Sequence, residues 1–340
     1  MSHQSPHMVF IGPLRQDYVI GPQKDVYFAQ PGGGAMYAAV GARLWGSDPL
    51  ALVSRVGEDF PQSWLKQLQS HGISCEAVHV VAGAPPSQAF YEYRSDGEVN
   101  EREPRLACVR RGVAMPKELL SFTPAGADED VRDRFTPLAI RPEDLASAHR
   151  QARAAYLAPA HIVTHQTLPA SLHSGGTTTI ALSPSPRYLQ PTSLHLLPSL
   201  LQGINLLLLN ERMARGLYHE STRDLGEIAR RLGGYGCPLV VVMEESGSQV
   251  MYHVGNSSPI AIPAYPAVRR NPVGAEGAFA GGFLAGWHLT YDPLQAVLYG
   301  NVSASLSVEG PGALFALSRM KGLAEARLEW LRSKVKGAMG

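Results

Sequence analysis

Short apolar runs recur along the chain, and most close on glycine, proline or asparagine. "HMVFIG" (7–12), "ALVSRVG" (51–57), "AAYLAP" (154–159), "TTTIALSP" (177–184), "INLLLLN" (204–210) and "PLVVVM" (238–243) show little polar alternation. Runs of that length and character read as strands buried on both faces. Between them lie segments whose apolar positions recur at helical spacing: "AMYAAVGARLWG", "FPQSWLKQLQSHG", "RPEDLASAHRQA" and "TRDLGEIARRLGGYG". Each ends in glycine or leads into a turn, as helices tend to. Strands alternating with helices predict an α/β fold, with a parallel sheet covered on both faces.

Two segments break this rhythm. "RQDYVIGPQKDVYFAQPGG" (15–33) and "PSQAFYEYRSDGEVNEREP" (86–104) alternate polar and apolar residues and are rich in Tyr, Phe and Val. They predict half-exposed antiparallel strands in a small capping sheet, with a hairpin turn at "SDGE". The stretch "SFTPAGADEDVRDRFTPLA" (121–139), rich in Pro, Gly and Asp, predicts a surface loop.

A third segment, "RRNPVGAEGAFAGGFLAGW" from Arg269, poses a physical question. It reads as a strand end, a glycine turn and a helix built almost wholly of Gly, Ala and Phe. Glycine inside a helix costs roughly 1 kcal/mol relative to alanine, and here Gly277, Gly281, Gly282 and Gly286 all fall inside one. The first amides of such a helix lack internal partners and carry partial positive charge, so they attract anions. Close packing against a neighbour accounts for the glycines equally well.

Composition narrows the classes. The 340 residues carry a formal net charge of +1 and are 45% hydrophobic, enough for a large core and without the basic stripe of a nucleic-acid-binding protein. Cys75, Cys108 and Cys237 are far apart and odd in number, which fits buried thiols of a reduced cytoplasmic protein. The N-terminus lacks a signal pattern, and the most apolar stretch is too short to cross a bilayer. Walker, dinucleotide, H-E-x-x-H and G-x-S-x-G patterns are absent from the sequence. The scattered histidines read as surface or satisfied core residues, and the sequence points to no metal site.

The ordered motifs resemble those of the ribokinase-like (PfkB) carbohydrate kinases. "GGGAMYAAVGARLWG" (32–46) is similar to the first signature, G-G-x-x-x-N-x-A, and "SRVGEDFPQSWLKQLQSHGIS" (54–74) to V-G-x-D-x-x-G. "LNERMA" (209–214) stands where N-x-x-E-A is expected, and "NPVGAEGAFAGGFLAG" resembles D-T-x-G-A-G-D-x-F-x-x-G. The resemblance implies one doubly wound, mostly parallel α/β domain with a small β-sheet lid formed within 15–33 and 86–104. It also implies transfer of the ATP γ-phosphate, with magnesium, to a sugar or nucleoside hydroxyl. Asp17, Gly32, Gly33 and Tyr37 would then face the sugar-like ligand. Gly274, Ala275, Glu276 and Gly277 would form the anion hole, while Asn210, Glu245 and Ser248 would stand on the nucleotide side. A homodimer through the lid fits the same resemblance; nucleic acid and membrane partners do not.

Several family positions are changed, and all bear on phosphoryl transfer. The aspartate that serves as base falls on Gly277. Glu276 is adjacent, but one helical residue is a rotation of about 100°. The aspartate opening the second signature is Asn271, the glutamate of N-x-x-E is Met213, and the asparagine of the first signature is Tyr37. Glu245 and Ser248 replace the nucleotide-loop glycines. These changes predict a ligand-binding member with impaired catalysis, whose ATP and magnesium binding is weak. The alternatives are an active divergent sugar or nucleoside kinase using Glu276 as base, and a structural or interaction subunit.

Overall fold

The computed structural model describes residues 6–339 except 24, 95–97, 125, 219–220 and 257, with backbone alone for 336–339. Its strands in chain order are β1 (Met8–Ile11), β2 (Arg15–Ile20), β3 (Val26–Gly32), β4 (Leu50–Val56), β5 (Ile73–Val80), β6 (Gln88–Tyr93), β7 (Val99–Asn100), β8 (Ala154–Leu157), β9 (Thr179–Leu182), β10 (Leu206–Asn210), β11 (Leu239–Met243), β12 (Gln249–His253) and β13 (Ile260–Ile262). Among the described residues the larger sheet has the order β13-β12-β11-β10-β9-β8-β1-β4-β5. From β11 to β5 all neighbours are parallel; β12 and β13 form an antiparallel edge.

The apolar runs are buried on both faces because successive side chains feed different cores. Met8, Phe10, Leu52 and Tyr156 pack with the helices Gly34–Arg43 and Ala275–Thr290. Val9, Ile11, Val53 and Leu157 pack with the helices Ile162–Gly175 and Leu225–Gly233. After β1 the chain winds toward β4 and β5; after β8 it winds the other way, through β9 to β11. The order therefore reverses between β1 and β8, and ligand crevices of open α/β sheets form outside the strand ends at such a point.

The two alternating segments form a separate four-stranded sheet, β3-β2-β6-β7. Its hairpins are antiparallel as expected, but the seam between β2 and β6 is parallel. β2 is also buried along most of its length rather than half exposed. The reason is a small third core, where Tyr18, Ile20 and Phe90 meet Cys108 of the helix Pro104–Arg111. Most of the "SDGE" turn lies outside the described residues, although its flanking strands pair at Glu92↔Asn100 and Tyr93↔Val99.

Two further expectations are corrected. Segment 141–152 is not one helix but a 3₁₀ turn, Pro142–Asp144, and a single helical turn, Ser147–Arg150. The Asp144 carboxylate accepts from the Arg141 amide and from both Arg55 donors at 2.8–2.9 Å, which holds Leu145 in extended backbone between them. The loop 121–139 is irregular, but it is not wholly a surface loop, since it delivers the buried side chain of Glu129 into the interior. The three cysteines are buried and unbonded. Among the described residues no helix is long and apolar enough to cross a membrane.

The glycines of the helix Ala275–Thr290 are accounted for by its neighbours. A Cβ on Gly281 would lie 1.8 Å from the Ala38 carbonyl oxygen, and one on Gly277 would lie 2.5 Å from that of Gly34. On the other side, Gly282 faces Ser303 and Gly286 faces Tyr299 at comparable distances. The helix is thus wedged between Gly34–Arg43 and Pro293–Ser307, backbone against backbone. That packing fixes where its N-terminus points.

Candidate active site

A cleft of about 940 Å³ opens at the carboxyl ends of the central strands, roofed by the small sheet. Its floor is the turn 272–274 and the first residues of the Gly/Ala helix. Gly274 takes the left-handed conformation, φ 78°, and a Cβ there would strike the Tyr37 ring at 2.3 Å. Glycine is required on both counts. Ala275 donates weakly to Pro272 at 3.4 Å; among the described residues the amides of Glu276 and Gly277 have no backbone acceptor. This is the expected cradle for an anion.

At one end lies Asp17, 1% exposed, with neither carboxylate oxygen in a well-formed hydrogen bond. Burial pushes its pKa up to about 7, against the opposing pull of Arg15, the Gly33 amide and the Tyr37 hydroxyl. Gly32 leaves room for this carboxylate, since a Cβ there would fall 1.8 Å from Asp17 Oδ2. Tyr37 is buried and spans from the Gly274 turn toward Asp17, its hydroxyl without a well-formed partner. Arg15 pairs with Glu129 at 2.9 Å, and Ser185 donates to the other Glu129 oxygen. Tyr91 and Tyr93 of the lid complete this end.

At the other end Glu276 enters the cleft away from Asp17. Its Oε2 accepts from the Asn210 side-chain amide at 3.4 Å, and its buried Oε1 has no partner. Burial raises its pKa to about 7, although Ser183 and Asn210 favour the ionised form. Ser183 also accepts from the Tyr156 hydroxyl at 2.9 Å. Asn210 caps the next helix by accepting from the Met213 amide at 2.9 Å. The carboxylate therefore occupies the ends of β9 and β10, the side where a polyphosphate would meet the helix terminus.

The sequence-predicted residues largely converge. Asp17, Gly33, Tyr37, Asn210, Glu245 and Gly274 to Gly277 line one cleft, and Gly32 lies beneath Asp17. Ser248 does not line it: the loop is a tight hairpin in which Ser248 donates to Glu244, and the Glu244 amide donates back to the Ser248 carbonyl at 2.9 Å. Glu245 lines the rim, held by its backbone: its amide donates to Glu211 at 3.0 Å and its carbonyl accepts from Arg269, whose guanidinium lies near enough to feel the Glu245 charge. Sequence reasoning missed Arg15, Glu129, Ser183 and Tyr156. Arg15 was within reach, two positions before Asp17 on the same strand face; Glu129, in an irregular loop, carried no signal.

Comparison with known proteins adds the lineage. The model of the pfkB family of carbohydrate kinases matches residues 144–319. A cytidine kinase of Thermococcus kodakarensis is 27% identical over 280 residues, covering 82% of this chain and 88% of its own. A putative ribokinase II from E. coli, solved in complex with ATP and Mg²⁺, superposes with TM-score 0.66 at 16% identity, covering 97% of this chain and 99% of that one. A Burkholderia thailandensis nucleoside kinase in complex with inosine gives TM-score 0.63 at 16% identity, covering 95% and 98%. At that identity the superpositions speak to the fold.

Proposed function

The chain belongs to the pfkB family of carbohydrate kinases, and on that premise we propose that it binds a sugar or nucleoside while phosphoryl transfer is impaired. The observation that carries this reading is the position of Gly277. The family's base would project from it, yet a Cβ there would lie 2.5 Å from the Gly34 carbonyl oxygen, so a carboxylate would need the two helices to move apart. Glu276 supplies a carboxylate in the first helical turn, but directs it to Asn210 and Ser183. There it interacts favourably with the helix terminus and competes with phosphate for the same charge.

Magnesium and ATP fit these residues poorly. Met213 stands at the N-x-x-E glutamate, and the Glu276 oxygen without a partner would face the phosphates directly. Arg269 at the rim moderates the charge of Glu245 but does not replace an acidic ligand for magnesium. The ligand end is better equipped: the buried Asp17 carboxylate accepts hydroxyl donors, and Tyr37, Tyr91 and Tyr93 offer aromatic surface to a sugar ring or a base. The exposed outer positions Val26 and Ala29 of β3 leave a lid edge open to a second copy. A lid-mediated homodimer is part of this reading, and sedimentation checks it.

One observation favours a second reading. A buried carboxylate with a pKa near 7 has the protonation behaviour of a general base, so Glu276 is the candidate in an active divergent kinase. A thermal-shift panel of sugars and nucleosides, with ATP consumption measured alongside, separates the two. Stabilisation by a polyol or nucleoside without ATP turnover supports the impaired reading. Turnover near 1 per second that vanishes in Glu276→Gln overturns it.

A further inference from the structure

On the face opposite the cleft, three potential metal ligands from three distant parts of the chain converge. His7 precedes β1, Asp48 lies in the loop leading to β4, and His288 occupies the last turn of the Gly/Ala helix. One ligand atom from each lies within 4.8 Å of the other two, and His7 Nδ1 is 3.5 Å from Asp48 Oδ2. We propose that His7, Asp48 and His288 form a binding site for a zinc-class divalent cation, which staples the far end of the Gly/Ala helix to the edge of the core.

The donor set selects the metal class. Two imidazoles and a carboxylate suit Zn²⁺ and its neighbours, whereas Mg²⁺ and Ca²⁺ require oxygen ligands. Tetrahedral zinc, with bonds of about 2.0–2.2 Å, needs neighbouring ligand atoms about 3.4 Å apart. The His7–Asp48 pair already meets that spacing, and His288 needs to close by on the order of an ångström. A fourth position is left for water.

His7 and Asp48 are partly exposed, and His7 Nδ1 makes no hydrogen bond, its one polar neighbour being the Asp48 carboxylate. Beside the cluster lies a hole of about 20 Å³ that two of the three ligands, Asp48 and His288, line together with apolar side chains such as Trp45 and Met8, and that His7 does not reach; it has room for one water-sized occupant. The ligand backbones are also held in place. The His7 amide donates to Pro49 at 2.8 Å and its carbonyl accepts from Arg153 at 3.0 Å. The Asp48 carbonyl accepts from Arg43 at 2.8 Å. His288 is fixed by the helix, whose last turn is closed by Tyr291 donating to Trp287 at 2.8 Å. From Glu276 to His288 the helix rises about 18 Å, so the ion would anchor the helix without touching the ligand cleft.

The test is a titration of the full chain after chelator treatment and dialysis, using Zn²⁺, Mg²⁺ and Ca²⁺ separately. One Zn²⁺ per chain is expected by calorimetry. At a hundredfold excess over the dissociation constant the melting temperature should rise by about 3–5 °C, with no matching rise for Mg²⁺ or Ca²⁺. His7→Gln/His288→Gln should weaken the affinity at least 100-fold, and Asp48→Asn about 10-fold. Co²⁺ in place of Zn²⁺ should give the intense visible bands of a four-coordinate ion, absent in the double variant. Absence of a stoichiometric zinc site in the unmodified chain, or zinc binding that survives the double substitution, overturns the proposal.

Discussion

Gly277 and Gly34 meet backbone to backbone, so closely that a Cβ on the former would sit 2.5 Å from the carbonyl oxygen of the latter. On the proposed reading, the position where the family carries its base is closed by this contact. Restoring the aspartate has to push apart two helices that pack against each other along Gly277, Gly281 and Gly41. Overpacking of this kind costs typically 1–3 kcal/mol. Gly277→Asp should therefore lower the melting temperature and leave ATP turnover undetected, as read by thermal unfolding and an ATP-consumption assay. A stable variant that turns over would show that this helix pair yields easily.

Glu276→Gly vacates the neighbouring position at the same helix end, about 100° round the axis. The carboxylate removed lies beside Asn210, at a helix N-terminus that would otherwise attract an anion. Two like charges about 4 Å apart interact by roughly 4 kcal/mol at an effective dielectric near 20. Inorganic phosphate and Mg-ATP should consequently bind at least tenfold more tightly to the variant, as measured by calorimetry. Unchanged affinity would mean that phosphate never approaches this carboxylate.

The parts of the fold that were legible in the sequence are those governed by local pattern. Each apolar run from "HMVFIG" to "PLVVVM" became an interior strand, because a parallel sheet leaves no polar face to confuse the signal. The 141–152 helix failed because Asp144 is captured by Arg55, a residue 89 positions away whose involvement no local window contains. Glu129 reached the cleft from a segment that read as surface, for the same reason: Arg15 and Ser185, its partners, are remote in sequence. Tyr37 stood out as a departure from the family pattern. Its packing on Gly274, however, depends on two distant segments meeting. Gly277 carried an ambiguous signal, since a lost side chain and the need for a close helix contact look identical in one dimension.

The pair Arg15–Glu129 offers a test of the ligand end. Glu129 is 4% exposed and is held by Arg15 at 2.9 Å and by Ser185. Removing one partner of a buried ion pair leaves an uncompensated charge, at a cost of about 3–5 kcal/mol. Arg15→Met should destabilise strongly, whereas Arg15→Met/Glu129→Gln should recover much of the loss. Chemical denaturation of the two variants checks this. Equal destabilisation by both would mean that packing, rather than charge, governs the site.

Asp17 and Glu276 make stability depend on pH in an unusual direction. Burial raises both to about 7 in the folded protein, while in the unfolded chain they return to the ordinary carboxylate range. Between roughly pH 4 and 7 the folded state therefore binds more protons than the unfolded one, and stability falls as pH rises through that window. Each carboxylate contributes a penalty at pH 8 on the order of 3–4 kcal/mol if fully expressed. The ligand-free protein should melt at a higher temperature near pH 6 than at pH 8. Asp17→Asn and Glu276→Gln should each flatten that slope and raise the melting temperature at pH 8. A polyol that donates hydroxyls to Asp17 stabilises the ionised form, so saturating ligand should flatten the slope in the unmodified chain but not further in Asp17→Asn. Melting curves at pH 6, 7 and 8, with and without ligand, decide the matter. A slope that rises toward pH 8 in the free protein would mean that neither carboxylate is desolvated as the cleft geometry requires.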